Sequence, residues 1–301
     1  MRVVESPPSC LLCWHCAGPS RRRFVGLLAG AAVGAPALAQ DGVRPDVGRT
    51  SQFAKLVPAE QVEAAAAQQY QQMLREAAQQ KALGPAEHPQ VVRLRAIAQR
   101  IIPFAPAWNT RAAQWKWEVN LIGSRELNAF CMPGGKIAFY YGILKQLRLS
   151  DDEVATIMGH EMAHALREHA RERMGKTAAT RIGAGLLSAL LGLGDAGNAL
   201  LDMGGQLLTL KFSREDESEA DIVGMELAAR AGYDPHAGVS LWNKMIEANK
   251  NAPPQFMSTH PSGPTRIADI QAKLPKVLPL YAKAERPGRF YGPPAEDKKT
   301  G

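Results

Sequence analysis

The sequence predicts an α+β protein, mostly helical, with a small antiparallel sheet. Three observations carry that expectation. Long stretches of strong helix formers place apolar residues three and four apart. One short segment alternates apolar with polar residues, as a half-buried strand does, and a second strand candidate follows a Pro-Gly-Gly turn. Glycine and proline cut the helical stretches into pieces of ordinary length. The 301 residues are 46% apolar and 22% charged, enough to bury a core.

Residues 40–57 read as a loose arm. From Pro58 to about Leu83 the chain is rich in Ala, Gln and Glu, so 40–85 is an N-terminal arm and helix, ended by Gly84-Pro85. A main domain over 86–284 follows. Val91 to Ile102 has helical spacing and stops at Pro103. Trp115 to Leu121 is one strand; Lys136 to Tyr141, after the turn Pro133-Gly134-Gly135, is another. Ser150 to about Met174 reads as one helix, and the apolar, Gly-interrupted Thr177 to Leu210 as two. Glu215 to Ala231, Pro235 to Asn249 and Pro264 to Leu274 complete the helices. The tail 285–301, rich in Pro, Gly and Lys, is expected to be disordered. There are no internal repeats.

The formal net charge is +7, and Arg2, Arg21, Arg22 and Arg23 supply four of the positives. No basic stripe with interleaved aromatics occurs, which argues against a nucleic-acid partner. Residues 1–39 read as a signal peptide. Ser20-Arg21-Arg22-Arg23-Phe24-Val25-Gly26 resembles a twin-arginine export motif. An apolar run follows and ends in the cleavage pattern Ala37-Leu38-Ala39. An uncleaved anchor is the alternative. Either way the expected location is a bacterial periplasm, and normal export after Arg21→Lys with Arg22→Lys would refute the route. Cys10, Cys13 and Cys16 precede the motif with half a zinc knuckle's spacing but no further ligand set. They read as leader, or as a start assigned too early.

The chemistry centres on His160-Glu161-Met162-Ala163-His164. On a helix, residues four apart share a face. Both imidazoles can then reach one Zn²⁺ at about 2.0–2.1 Å. Glu161 lies about 100° round from His160. There a carboxylate can take a proton from zinc-bound water, whose pKa the metal lowers to about 7. The helix is well specified: Ser150 with Glu153 is a capping box, and Asp151 and Asp152 suit the dipole.

A third ligand is needed. Metzincins supply a histidine ten residues after the first, but Ala170 stands there and Arg167 replaces their glycine. On a continuing helix His169 would face away, toward solvent. Downstream, Glu217 and Asp221 are four apart in an acid-rich helix start, with Glu219 on the opposite face. One carboxylate on zinc and a second holding a ligand histidine would fit. A solvated acidic first turn would fit as well.

These motifs together resemble metallopeptidase family forty-eight, the zincin-like gluzincins that include HtpX, the Oma-type proteases and the periplasmic BepA and LoiP. Beside His-Glu-Met-Ala-His and Glu217-Ser218-Glu219-Ala220-Asp221, the segment Leu127-Asn128-Ala129-Phe130-Cys131-Met132-Pro133-Gly134-Gly135 resembles the family's Asn-Ala-Phe…Pro-Gly-Gly. Ser258-Thr259-His260-Pro261 with Arg266 resembles its downstream His-Pro motif. The resemblance implies one Zn²⁺ per subunit, with Glu217 as third ligand and Asp221 behind the ligands. It implies an edge strand at Asn128, Ala129 and Phe130 that pairs with extended substrate. It places His260 and Arg266 by the metal, to stabilise an oxyanion or, for His260, to cap zinc at rest. Cys131 is then a small strand residue or a latency thiolate.

The implied activity is internal cleavage of extended or misfolded envelope proteins, in periplasmic quality control. HtpX-like membrane helices are not evident after the leader, and too few residues follow His260 for a BepA-like array of repeats of about 34 residues. The compact LoiP-like form is the expected shape. Peripheral contact with a membrane and the oligomeric state stay open. The rival readings are a zinc-containing periplasmic chaperone or binding protein, and a helical scaffold with an accidental motif. Gly192-Leu193-Gly194-Asp195-Ala196-Gly197 matches a dinucleotide fingerprint but lacks a preceding β-branched strand.

Overall fold

The protein is described here by a computed structural model covering residues 42–182, 207, 210–249, 255–260 and 265–295. The leader with Cys10, Cys13 and Cys16, most of the apolar stretch Thr177 to Leu210, Pro261 and the last six residues lie outside the described residues.

Helix α1 (Ala59–Gln79) precedes α2 (Pro89–Ile101), where His88 accepts from the Gln90 N–H as N-cap. Strands β1 (Glu118–Ile122), β2 (Ala129–Met132) and β3 (Lys136–Tyr140) follow. Then come α3 (Tyr141–Gln146), α4 (Asp151–Leu166) and α5 (His169–Ile182). The last described helices are α6 (Arg214–Arg230), α7 (Ala237–Asn249), α8 (Gln255–Thr259) and α9 (Arg266–Lys283). None of these helices is long and apolar enough to cross a membrane.

The sheet order is β1-β3-β2, and its pairing is mixed where an antiparallel sheet was expected. The hairpin through Pro133-Gly134-Gly135 is antiparallel, Ala129 facing Phe139. It folds β3 between the other two strands, and two reversals of direction leave β3 parallel to β1, Glu118 facing Lys136. Strand patterns do not reveal on which side of β2 the third strand adds. The central β3 is accordingly the most buried strand, and β2 is left as an edge.

The helix expected from Ser150 to Met174 is two. Arg167 caps α4, Glu168 takes φ 62°, and the chain redirects into α5 at His169. Helix α9 runs beyond Leu274 through Pro275 and Pro279. Both prolines are on the exposed side, where water can serve the carbonyls they leave unbonded. The arm is not loose. The Val43 N–H donates to the buried Glu226 carboxylate at 2.7 Å, and Asp46 pairs with Lys273 at 3.0 Å. Nor is the tail free up to 295. Asp151 accepts from the Tyr291 and Gly292 N–H groups at 2.7 and 2.9 Å, while also pairing with the buried Arg93 at 2.8 Å. A buried carboxylate must fill its acceptor capacity, and the tail supplies the donors.

Helix α4 is the centre of the core, buried on nearly every side. Val154, Ile157 and Met158 pack in one cluster with Leu94 and Ile97 of α2 and Phe139 of β3. Each such side chain contributes about 1.5–3 kcal/mol when fully buried. Against α6 the contact is backbone to backbone. A Cβ on Gly159 would meet the Gly224 carbonyl at 2.5 Å, and one on Gly224 the His160 nitrogen at 2.5 Å. Two facing glycines thus let α4 and α6 touch right beside His160.

Candidate metal centre

The capping box of Ser150 and Glu153 starts α4, with both reciprocal bonds formed. Its third and fourth turns present His160 and His164, whose Nε2 atoms lie 3.1 Å apart. A second capping box, Ser213 with Asp216, starts α6 and was not foreseen. It sets Glu217 in the first turn. The Glu217 carboxylate lies 3.6 Å from His160 Nε2 and 3.5 Å from His164 Nε2. With His260 added, four ligand atoms fall within 4.8 Å of one another, all from buried residues. Sequence spacing alone left Glu217 open between ligand and solvated turn; it is buried in this cluster.

Three buried polar atoms around this point find no hydrogen-bond partner among the described residues: Glu161 Oε1, Glu217 Oε1 and His260 Nε2. Unpaired buried polar atoms are costly, so their convergence marks a place for a ligand. Two imidazoles, a carboxylate and a third imidazole form a donor set suited to Zn²⁺. Glu161 Oε1 stands 3.5 Å from His260 Nε2, beside the cluster rather than in it.

The second layer fixes the ring orientations. Asp221 Oδ1 accepts from His160 Nδ1 at 2.9 Å, which puts the His160 lone pair on Nε2. Arg266 lies behind the carboxylates: Nε and Nη2 donate to Asp221 at 2.6 and 2.7 Å, and Nη1 to Glu217 at 3.0 Å. Its guanidinium stacks over Trp242 at 3.6 Å. Each of its three nitrogens donates to Asp221 or Glu217, so the geometry does not offer it to an oxyanion. His260 Nδ1 donates to the Phe256 carbonyl at 3.1 Å and the ring stacks on Phe256, 4.4 Å between centroids. A carbonyl only accepts, so neutral His260 turns a lone pair, not a proton, toward the cluster.

Burial dominates the electrostatics. It pushes Glu217 up to about 8, against the pull of Arg266. Burial raises Glu161 far above the usual carboxylate range, and the Glu217 charge adds to this. It holds His164 and His260 well below the imidazole range, and His160 below it despite Asp221. For Asp221 the burial penalty is outweighed by Arg266 and His160, so its pKa is lowered. The set is thus neutral imidazoles with protonatable glutamates, the form in which imidazole binds metal.

Strand β2 borders the cluster. Asn128 O bonds Tyr140 N at 3.0 Å. In an antiparallel ladder alternate residues turn their N–H and C=O outward, and with this register those residues are Ala129 and Cys131. Of Asn128, Ala129 and Phe130, only Ala129 therefore has its backbone directed to the open edge. The Cys131 N–H faces Glu161 and lowers its pKa in part. Burial pushes the Cys131 thiol itself far up, so it is a protonated packing residue here and not a thiolate. A cavity of about 60 Å³ between the edge and α4 is lined by Phe130, Met132, Ala165, Leu207 and Phe212.

Two site residues escaped the sequence reading. Phe212, in irregular chain, stacks on His164 with 4.0 Å between centroids; no local pattern signals it. His169, expected in solvent, is buried, its Nδ1 2.9 Å from His164 Nδ1. The turn at Glu168 ends the helical register on which the expectation rested. Glu219 points away from the cluster, as expected, onto Arg167 and His169.

Residues 90–274 match Peptidase family M48, more than half of the chain. Among curated proteins, the chain is similar to the Mitochondrial metalloendopeptidase OMA1 of Schizosaccharomyces pombe, 35% identical over 195 residues, 64% of this chain and 55% of that one. The Arabidopsis thaliana protein of the same name is 37% identical over 150 residues, 50% of this chain and 30% of that one. The Beta-barrel assembly-enhancing protease of Escherichia coli is 29% identical over 177 residues, 54% and 36%. The chain spans about half or less of the length of these relatives. The matched span holds all four converging donors together with Glu161, Asp221 and Arg266, and the four motifs are met in the expected order: the chain belongs to peptidase family M48.

Proposed function

We propose that this protein is a zinc-dependent endopeptidase that cuts internal peptide bonds of extended or misfolded envelope proteins. The observation that carries the reading is the convergence of unpartnered Glu161 Oε1, Glu217 Oε1 and His260 Nε2 on the paired imidazoles. His160, His164 and Glu217 hold the metal, which when bound supplies Lewis-acid activation of water and of the scissile carbonyl. Glu161 takes the water proton at Oε1 and delivers it to the leaving amine. A carboxylate at this place can serve both transfers, its ionised form taking the proton and its acid form giving it up. Asp221 fixes the His160 tautomer, and Arg266 holds Asp221 and Glu217 in place. His260, with its lone pair facing inward, would be a further donor to the metal at rest and would move aside for substrate.

The outward carbonyls of Ala129 and Cys131 accept from an extended substrate strand, flanked by Asn128 and Phe130, while Asn128 Oδ1 holds the Ala129 N–H at 3.0 Å. Such pairing reads backbone rather than sequence, which favours unfolded chains. A role in envelope quality control is supported by the export-like leader and by the similarity to a relative named for enhancing β-barrel assembly. Periplasmic location, twin-arginine export and peripheral membrane contact belong to this same proposal.

Zinc analysis and digestion of an unfolded casein, run on wild type and Glu161→Gln, test the reading. One zinc should remain in both while cleavage falls by about two to four orders of magnitude. Full cleavage by Glu161→Gln would remove the base. Zinc retained by a wild type that does not cut would favour the chaperone reading. In the same digest His260→Ala should keep its zinc and cut at least as fast as wild type; a hundredfold loss would make His260 an oxyanion donor instead.

A further inference from the structure

We propose that His169 is a positioning residue for the metal centre: it accepts the Nδ1 proton of His164 and is itself backed by Glu219. The inference rests on the zinc reading above. A histidine that binds metal through Nε2 carries its proton on Nδ1 and needs an acceptor there, and that partner sets ring orientation and basicity. For His160 the acceptor is a carboxylate, Asp221. No described carboxylate is bonded to His164 Nδ1. Its partner is His169 Nδ1, 2.9 Å away, in a ring 2% exposed.

The tautomers follow in sequence. With the proton on His164 Nδ1, His169 must offer a lone pair at its own Nδ1, so its proton sits on Nε2. His169 Nε2 faces Glu219 Oε1 at 3.8 Å, and Arg167 pairs with the same carboxylate oxygen. Glu219 thus acts on His164 at one remove, as Asp221 acts directly on His160. His169 lies outside the four-donor cluster, so it is no competing ligand. The turn at Glu168 is what delivers it: a non-glycine residue at φ 62° opens α5 so that its first side chain folds back over the last turn of α4.

Zinc dissociation constants, measured on the full chain by competition with a chromophoric chelator, test this, with the visible bands of the cobalt(II) form as a second readout. His169→Leu should bind zinc about 10- to 100-fold more weakly and shift the cobalt bands. His169→Asn places an amide oxygen near the position of Nδ1 and should stay within about threefold of wild type. Wild-type affinity and unshifted bands in His169→Leu, or a loss in His169→Asn equal to that in His169→Leu, would overturn the proposal. If His169→Leu does not fold, Glu219→Gln decides: a loss of threefold or more supports the relay, and unchanged affinity overturns it. A wild type that binds no zinc defeats the metal reading itself, a distinct outcome.

Discussion

At the residue scale the site is a balance between burial and pairing. Arg266 is the clearest instance. Its guanidinium is nearly buried, as are Asp221 and Glu217, and its three nitrogens bridge the two carboxylates. Removing one partner of a buried ion pair costs about 3–5 kcal/mol, because the other charges remain in low dielectric. Arg266→Ala should therefore lower unfolding free energy by that amount in denaturant melts. Arg266→Lys should restore less than half, since a single ammonium cannot span both carboxylates with a planar fork. A fully stable Arg266→Lys would show that only charge matters there. The orphaned oxygens of Glu161 and Glu217 show the opposite case, polar atoms kept unpaired for a ligand.

At the element scale the decisive contact is the crossing of α4 and α6 through Gly159 and Gly224. Ordinarily Gly→Ala inside a helix stabilises by about 0.8–1 kcal/mol. At Gly224 a methyl would press on the His160 backbone, which cannot give way as a flexible side chain would. Overpacking of this kind costs about 1–3 kcal/mol, so the clash wins. Gly224→Ala is expected to destabilise the fold by up to about 2 kcal/mol. It should also weaken zinc binding at least tenfold by moving Glu217 off the imidazoles. Melting and chelator competition measure both, and a stabilised variant with normal affinity would contradict this account of the crossing. The edge position of β2 is likewise an element property, set by β3 inserting beside β1.

For the whole molecule, metal uptake and pH are linked through the buried set. The Glu217 pKa is raised to about 8 from an ordinary 4.5. Its contribution to metal-free stability is thus present below pH 4.5 and is lost as pH rises through about 8. Zinc reverses this, because it needs the ionised carboxylate and imidazoles that burial already keeps neutral. Affinity should rise with pH up to about 8, approaching tenfold per unit. At pH 7 uptake should release close to one proton, read by calorimetry in buffers of different ionisation enthalpy. No release would mean that Glu217 is already ionised.

The sequence by itself determined the parts whose cause is local. The helix that carries His160 and His164 could be read because its cap, its dipole charges and its paired histidines lie in one continuous segment, residues 150–164. Glu217 with Asp221 could be placed on one helix face for the same reason. What the tertiary structure decided depends on where the chain turns and which backbones meet. The turn at Glu168 brought His169 under His164, the glycine crossing carried Glu217 to the histidines, and β3 chose its side of the sheet. Those outcomes follow from packing between segments far apart in the chain, and no periodicity within either segment encodes them.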